Sequence, residues 1–140
     1  MGYRSEVLLA IEFPSKQAMH EFVAIAKAGA SVEVIEAIND YGMYAPEHTE
    51  NVAIIAHYDH VKWYNSFSDV QAHDHILELA SEMRYPTLFL RIGEDADDVE
   101  NRWVWGDSEV VEVTLLYDMD IVRHIDKPAD IKPIELPDRA

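Results

Sequence analysis

The sequence predicts an α+β domain, with an antiparallel or mixed sheet of four to five strands and two or three helices on one face. Three observations point there. Strand-like runs alternate with helical stretches in the first half of the chain and then follow one another directly, which favours helices gathered on one side over a doubly wound parallel sheet. The length of 140 residues sits near the commonest domain size, enough for one core and too little for two. An apolar content of 49% supports a packed interior despite heavy charge.

The elements follow in order. Ser5 to Phe13 reads as a first strand, apolar throughout at Val7, Leu8, Leu9, Ala10 and Ile11, as a central strand covered on both faces would be. Pro14 stops it, and Ser15 is a natural N-cap for a helix over residues 16–28, with Met19, Phe22, Val23 and Ala26 on one face. A short helix over residues 32–38 starts from Ser31, and the Asn39-Asp40-Tyr41-Gly42 stretch after it has turn chemistry. Residues 44–51 read as a polar loop, and 52–58 as a second strand that extends toward Tyr64.

Ser68 and Gln71 fit a capping box, which opens a helix whose stripe is Ile76, Leu77, Ala80 and Met83. Tyr85-Pro86 ends it. Thr87 to Ile92 is a third strand. Residues 102–105 and 110–117 then read as a hairpin across Gly106-Asp107-Ser108, and the patch at 121–125 as an extension of the sheet. The domain is expected to span residues 1–126, leaving 127–140, with Pro128, Pro133 and Pro137, as a loosely ordered tail. This order suits a ferredoxin-like or related α/β sandwich.

Charge excludes whole classes of function. Eleven basic residues against 27 acidic ones give −16, and protonating all seven histidines would leave the chain negative. Binding phosphate backbones or anionic membranes depends on Lys and Arg, so no direct nucleic-acid or membrane partner is expected; basic surfaces are attracted instead. With no cysteine there is no disulfide, thiolate zinc site or cysteine nucleophile. The short apolar run at 7–11 is no signal-peptide core, and the Gly2 context misses the myristoylation pattern, so a soluble cytoplasmic protein is expected.

Chemistry-bearing motifs are few. His57, His60, His73 and His75 are weak candidate metal ligands. On a strand His57 and Asp59 share a face while His60 points away, and on a helix His73 and His75 lie about 200° apart. The expectation is therefore no metal and no cofactor. The run of five carboxylates at Glu94, Asp95, Asp97, Asp98 and Glu100 lacks the glycine and bidentate glutamate of an EF-hand, and reads as a solvated loop or one docked on Arg91, Arg102 or a basic partner. No serine elbow or phosphate-binding glycine loop occurs, so nothing positive marks an enzyme. Trp63, Tyr64, Trp103 and Trp105 sit beside charged residues near strand ends. They either cover the core or, if exposed, form an anchor patch ringed by acids.

The opening Met1-Gly2-Tyr3-Arg4-Ser5-Glu6-Val7, the block Val61-Lys62-Trp63-Tyr64 with Asp69-Val70, and Arg91-Ile92-Gly93-Glu94-Asp95 with Asp97-Asp98-Val99-Glu100 resemble small proteins of tailed bacteriophages and prophages. That resemblance carries no catalytic residues. It implies a small accessory protein of an infected bacterial cytoplasm, of the kind that binds and inhibits a host defence or nucleic-acid-processing factor, in one form by imitating DNA charge. The partner-binding residues expected on this reading are Trp63, Tyr64, Glu94, Asp95, Asp97, Asp98, Glu100, Trp103 and Trp105. The alternatives are a small-molecule or nucleotide binder, or a metal enzyme, built on the histidines and Trp63, and a homodimer with a structural role, paired through an exposed sheet edge or the tryptophan face.

Overall fold

The computed structural model describes residues 2–95, 97–104, 111–116 and 132–134. The strands are β1 (Ser5–Phe13), β2 (Gly42–Tyr44), β3 (Val52–Val61), β4 (Thr87–Ile92), β5 (Val99–Val104) and β6 (Lys132–Pro133), and the helices are α1 (Lys16–Lys27), α2 (Val32–Asn39) and α3 (Ser68–Glu82). They form one sheet of order β5-β4-β1-β3-β2-β6, antiparallel at every pairing. Its inner four strands, β4-β1-β3-β2, with crossovers through α1–α2 and α3, are the ferredoxin-like arrangement that the element order predicts.

Alternation along β1 divides the core in two. Val7, Leu9, Ile11 and Phe13 face the helices with Met19, Phe22, Ile38, Ile54 and Ile76, whereas Leu8 and Ala10 face the other way with Ala53, Ile55, Leu88 and Leu90. Both faces are apolar, so both must be covered. The caps form as the sequence predicts at Ser15 and Ser31, whose hydroxyls accept from the amides of Ala18 (3.1 Å) and Val34 (3.3 Å). The capping box at Ser68 does not form. Phe67 is the N-cap, Ser68 is already helical, and the Gln71 side chain turns away to the Asn65 carbonyl at 3.1 Å.

Three further expectations are corrected. Tyr44, read as the start of a loop, ends the three-residue β2, which pairs Gly42, Met43 and Tyr44 with Ile55, Ile54 and Ala53. The late hairpin lies one step earlier than predicted: β5 pairs with β4, from Thr87 against Val104 to Ile92 against Val99, so Val99 and Glu100 are strand residues. Residues 111–114 form no strand, and Leu115 and Leu116 begin a helical turn. The turn at Gly106-Asp107-Ser108 and the patch at 121–125 lie outside the described residues. Within the tail, Lys132 and Pro133 pair with Met43 and Gly42, and Ile134 packs on the core, so these residues belong to the domain.

The far face is closed by a buried charge. Glu12 has the same parity as Leu8 and Ala10, is fully buried, and accepts five hydrogen bonds. Oε1 takes the amides of Leu115 (2.9 Å) and Leu116 (3.1 Å), and Oε2 takes the Thr114 amide (3.1 Å), its hydroxyl (3.2 Å) and the Asn51 side-chain amide (2.6 Å). A carboxylate acceptor at the start of a helical turn satisfies amides that have no partner within the turn. Leu115 and Leu116 are thereby held on Ala10, Ala53, Ile55, Leu88 and Leu90. Glu12→Gln puts an amide donor among these donors. It should cost roughly 2–4 kcal/mol, the range for breaking a buried, charge-assisted network. Urea denaturation should show a lower midpoint, and the Leu115 and Leu116 amides should exchange faster than the rest of the core; an unchanged midpoint would contradict the clamp.

Candidate functional site

A cleft of about 320 Å³ opens where the end of α2, the far end of β3 and the first turns of α3 meet. Its wall is aromatic. Tyr58 lies on the helix-facing side of β3, and Trp63, just past the strand, stacks at a tilt over Tyr58, His73 and Phe89, with ring centroids 5.7–6.1 Å apart. The rim is acidic, formed by Glu33, Glu36, Asp40 and Asp69, with Lys62 the one lysine or arginine in the lining among the described residues.

Behind the wall runs a hydrogen-bonded chain whose proton positions follow from geometry. Tyr58 Oη lies 2.7 Å from Asp40 Oδ2 and 2.7 Å from His73 Nε2, and Tyr41 Oη lies 3.4 Å from His73 Nδ1. An ionised carboxylate only accepts, so the single phenolic proton of Tyr58 goes to Asp40. Tyr58 must then accept from His73 Nε2–H, which leaves Nδ1 to accept from Tyr41. The order is Tyr41 to His73 to Tyr58 to Asp40, with a neutral imidazole at its centre. Burial lowers the pKa of His73, opposed by the nearby Asp40, Asp69 and Asp74. Burial raises the pKa of Tyr41, and burial together with the bond to Asp40 raises that of Tyr58, so both phenols keep their protons.

A second cleft, of about 310 Å³, shares the Trp63 wall and is lined by Tyr64, Phe89, Arg91, Asp98, Glu100 and Arg102, among others. Arg91 organises it. Its guanidinium meets Asp98 through both terminal nitrogens (3.1 and 2.9 Å) and Glu100 through Nε (3.0 Å), and Tyr3 Oη donates to Asp98 at 2.6 Å. Arg91 holds the Asp98 carboxyl below the usual carboxylate range, and Asp98 raises Arg91 in turn. A Cβ at Gly93 would displace the Asp98 carboxylate and the Tyr3 hydroxyl, so glycine lets them meet here.

The residues expected to bind a partner are thus divided. Trp63, Tyr64, Asp98 and Glu100 line one cleft. Glu94, Asp95 and Asp97 are exposed on the β4–β5 turn, where Glu94 accepts from the Arg4 amide at 2.7 Å. Trp103 faces the far side of the sheet and packs on the second core cluster, while Trp105 lies outside the described residues. Two of the five carboxylates, Asp98 and Glu100, dock on Arg91 as that alternative predicts, and Glu94, Asp95 and Asp97 are exposed as in a solvated loop.

Of the four candidate histidines, His73 lines the α2–α3 cleft and the other three do not. His57 is on the opposite face of the sheet, 3.0 Å from Glu6, and His60 and His75 are exposed. No group of three or more His, Asp or Glu side chains able to hold a metal occurs among the described residues. No helix among them is long and apolar enough to cross a membrane. Asp40, Tyr58 and Tyr41 carry no site signal in the sequence. The available signal was the helical spacing of His73 with Ile76 and Ala80, which places an imidazole in a buried stripe.

His73 should be neutral and carry its proton on Nε2 at pH 6.5, where a free imidazole is half charged. Nitrogen-correlated NMR reads this directly, and an imidazolium at that pH would contradict the chain. Because the folded pKa lies below the unfolded one, the unfolded chain takes up the proton first, so this group lowers stability as pH falls through about 6.5 and contributes no such penalty above it. Compared with known proteins, the chain matches no family model, no curated protein and no solved structure.

Proposed function

We propose that the protein works by binding. It is a phage accessory protein that docks an acidic, aromatic-centred surface on a basic surface of a host protein, a defence component or nucleic-acid-processing factor, and inhibits it in the host cytoplasm. The observation that carries this reading is Trp63, a half-buried indole shared by two adjoining clefts that are rimmed by Glu33, Glu36, Asp40 and Asp69 on one side and by Asp98 and Glu100 on the other. Partly exposed tryptophan and tyrosine anchor protein interfaces, and surrounding charge of one sign selects and steers a partner of the other. The centre of the surface moves accordingly from the run at 94–100, whose Asp98 and Glu100 are tied to Arg91, to the cleft between α2 and α3. In the DNA-imitating form of the reading, duplex DNA competes for the same partner surface.

The chain from His73 through Tyr58 to Asp40 favours a second reading, a small-molecule site, since the cleft falls at the lower end of ligand-pocket sizes of roughly 300–1,000 Å³. Its four carboxylates disfavour nucleotides and other anions. A neutral or cationic molecule is the class it would take.

Affinity capture from bacterial lysate separates the readings. A charge-driven protein partner should be retained at low ionic strength and released as salt rises. It should be lost when Glu33, Glu36 and Asp40 are changed together to Gln, Gln and Asn. Retention by that neutralised variant, or a complex indifferent to salt, counts against the proposal.

A further inference from the structure

The geometry points to the cleft between α2 and α3 as a receptor for one guanidinium group, an arginine side chain presented by the partner; this rests on the reading above that the partner is basic. Tyr58 donates to Asp40 Oδ2 at 2.7 Å and so fixes the carboxylate, while no bond engages Oδ1 among the described residues. Glu33 and Glu36 stand beside it, also without a hydrogen bond or ion pair among those residues. The wall is aromatic, with Tyr58 and Trp63 tilted at 35° to one another and 6.1 Å apart. A planar, weakly hydrated guanidinium both stacks on aromatic faces and bonds carboxylates with its fork of donors, whereas an ammonium is a compact, strongly hydrated point charge.

The same fold already seats one arginine in this way. Arg102 lies 4.3 Å over the Phe89 ring, between Asp74 at 3.6 Å and Glu100 at 3.8 Å. The α2–α3 cleft offers the same combination of rings and carboxylates, with no arginine in it among the described residues. Its resident Lys62 leaves three of the four carboxylates uncompensated. Because His73 hands its Nε2 proton toward Tyr58 as a neutral imidazole, the wall adds no opposing charge.

The probes are N-acetyl-arginine amide and a tri-arginine peptide, titrated at low ionic strength into the full chain and followed by amide and indole NMR shifts. Saturable shifts are expected at Ala37, Asp40, Val61 and the Trp63 indole N–H, and the corresponding lysine compounds should bind several-fold more weakly. Asp40→Asn, at an exposed position, should weaken the arginine compounds tenfold or more. Tyr58→Phe, which keeps the carboxylate but removes the bond that orients it, should weaken them by less. Shifts spread evenly over the acidic surface, equal binding of lysine, or binding unchanged in Asp40→Asn would overturn the inference. If a salt-sensitive partner is captured equally well by wild type and Asp40→Asn, this site fails while the binding function stands. If the arginine probes saturate but no partner is captured, the site stands and the binding function fails.

Discussion

The structure depends first on a buried carboxylate. β1 is the central strand and is apolar on both sides, so the fold needs a second cover opposite its helices, and Glu12 supplies the attachment for it. Burying a charge is costly unless its lone pairs are filled, and here five donors fill them. Four come from two consecutive amides, a third amide and a hydroxyl of one short segment, so the same bonds that satisfy the charge fix that segment in place. Leu115 and Leu116 thereby cover part of the far face, and the α2–α3 cleft lies on the helical face.

On that face polarity is arranged in depth. His73 is almost wholly buried, Tyr58 is half-buried and Asp40 is exposed, so a chain of hydrogen bonds runs from the core to the solvent and ends on a carboxylate at the cleft. The interior half of the chain is neutral, and the charge sits where water or a partner can reach it. Low dielectric strengthens such a chain only if each member is satisfied. Here the tautomer of one imidazole decides whether it is. The neighbouring cleft follows a different plan, in which Arg91 neutralises two carboxylates and the Tyr3 hydroxyl locks the turn, so its acids are structural before they are available to a partner.

Much of the fold was legible because local signals and tertiary demands agreed. The bounds of β1 and β4 follow from apolar runs closed by Pro14 and opened by Pro86, and the starts of α1 and α2 follow from serine caps that form as expected. What escaped depends on contacts distant in sequence. β2 is three residues long and gains its identity only from β3 beside it. The hairpin was misplaced because Gly106-Asp107-Ser108 has the stronger turn composition, whereas the turn that forms is held by Arg91, Asp98 and Tyr3 across up to 95 residues. Glu12 lies within the strand read as central, but nothing local marks its role, because four of its donors lie more than 100 residues away. Trp63 is legible as a candidate from its chemistry, and Asp40 is not, because in the sequence it belongs to a turn.

On the proposed reading the partner docks around Trp63 and the α2–α3 cleft, away from the back of the sheet and from the β4–β5 turn. The direct measurement is hydrogen–deuterium exchange of the captured complex against the free protein. Slowed exchange at residues 33–41 and 58–73 on binding is the predicted result. Protection confined to residues 93–104 or 111–116, with 33–41 and 58–73 unchanged, would contradict it.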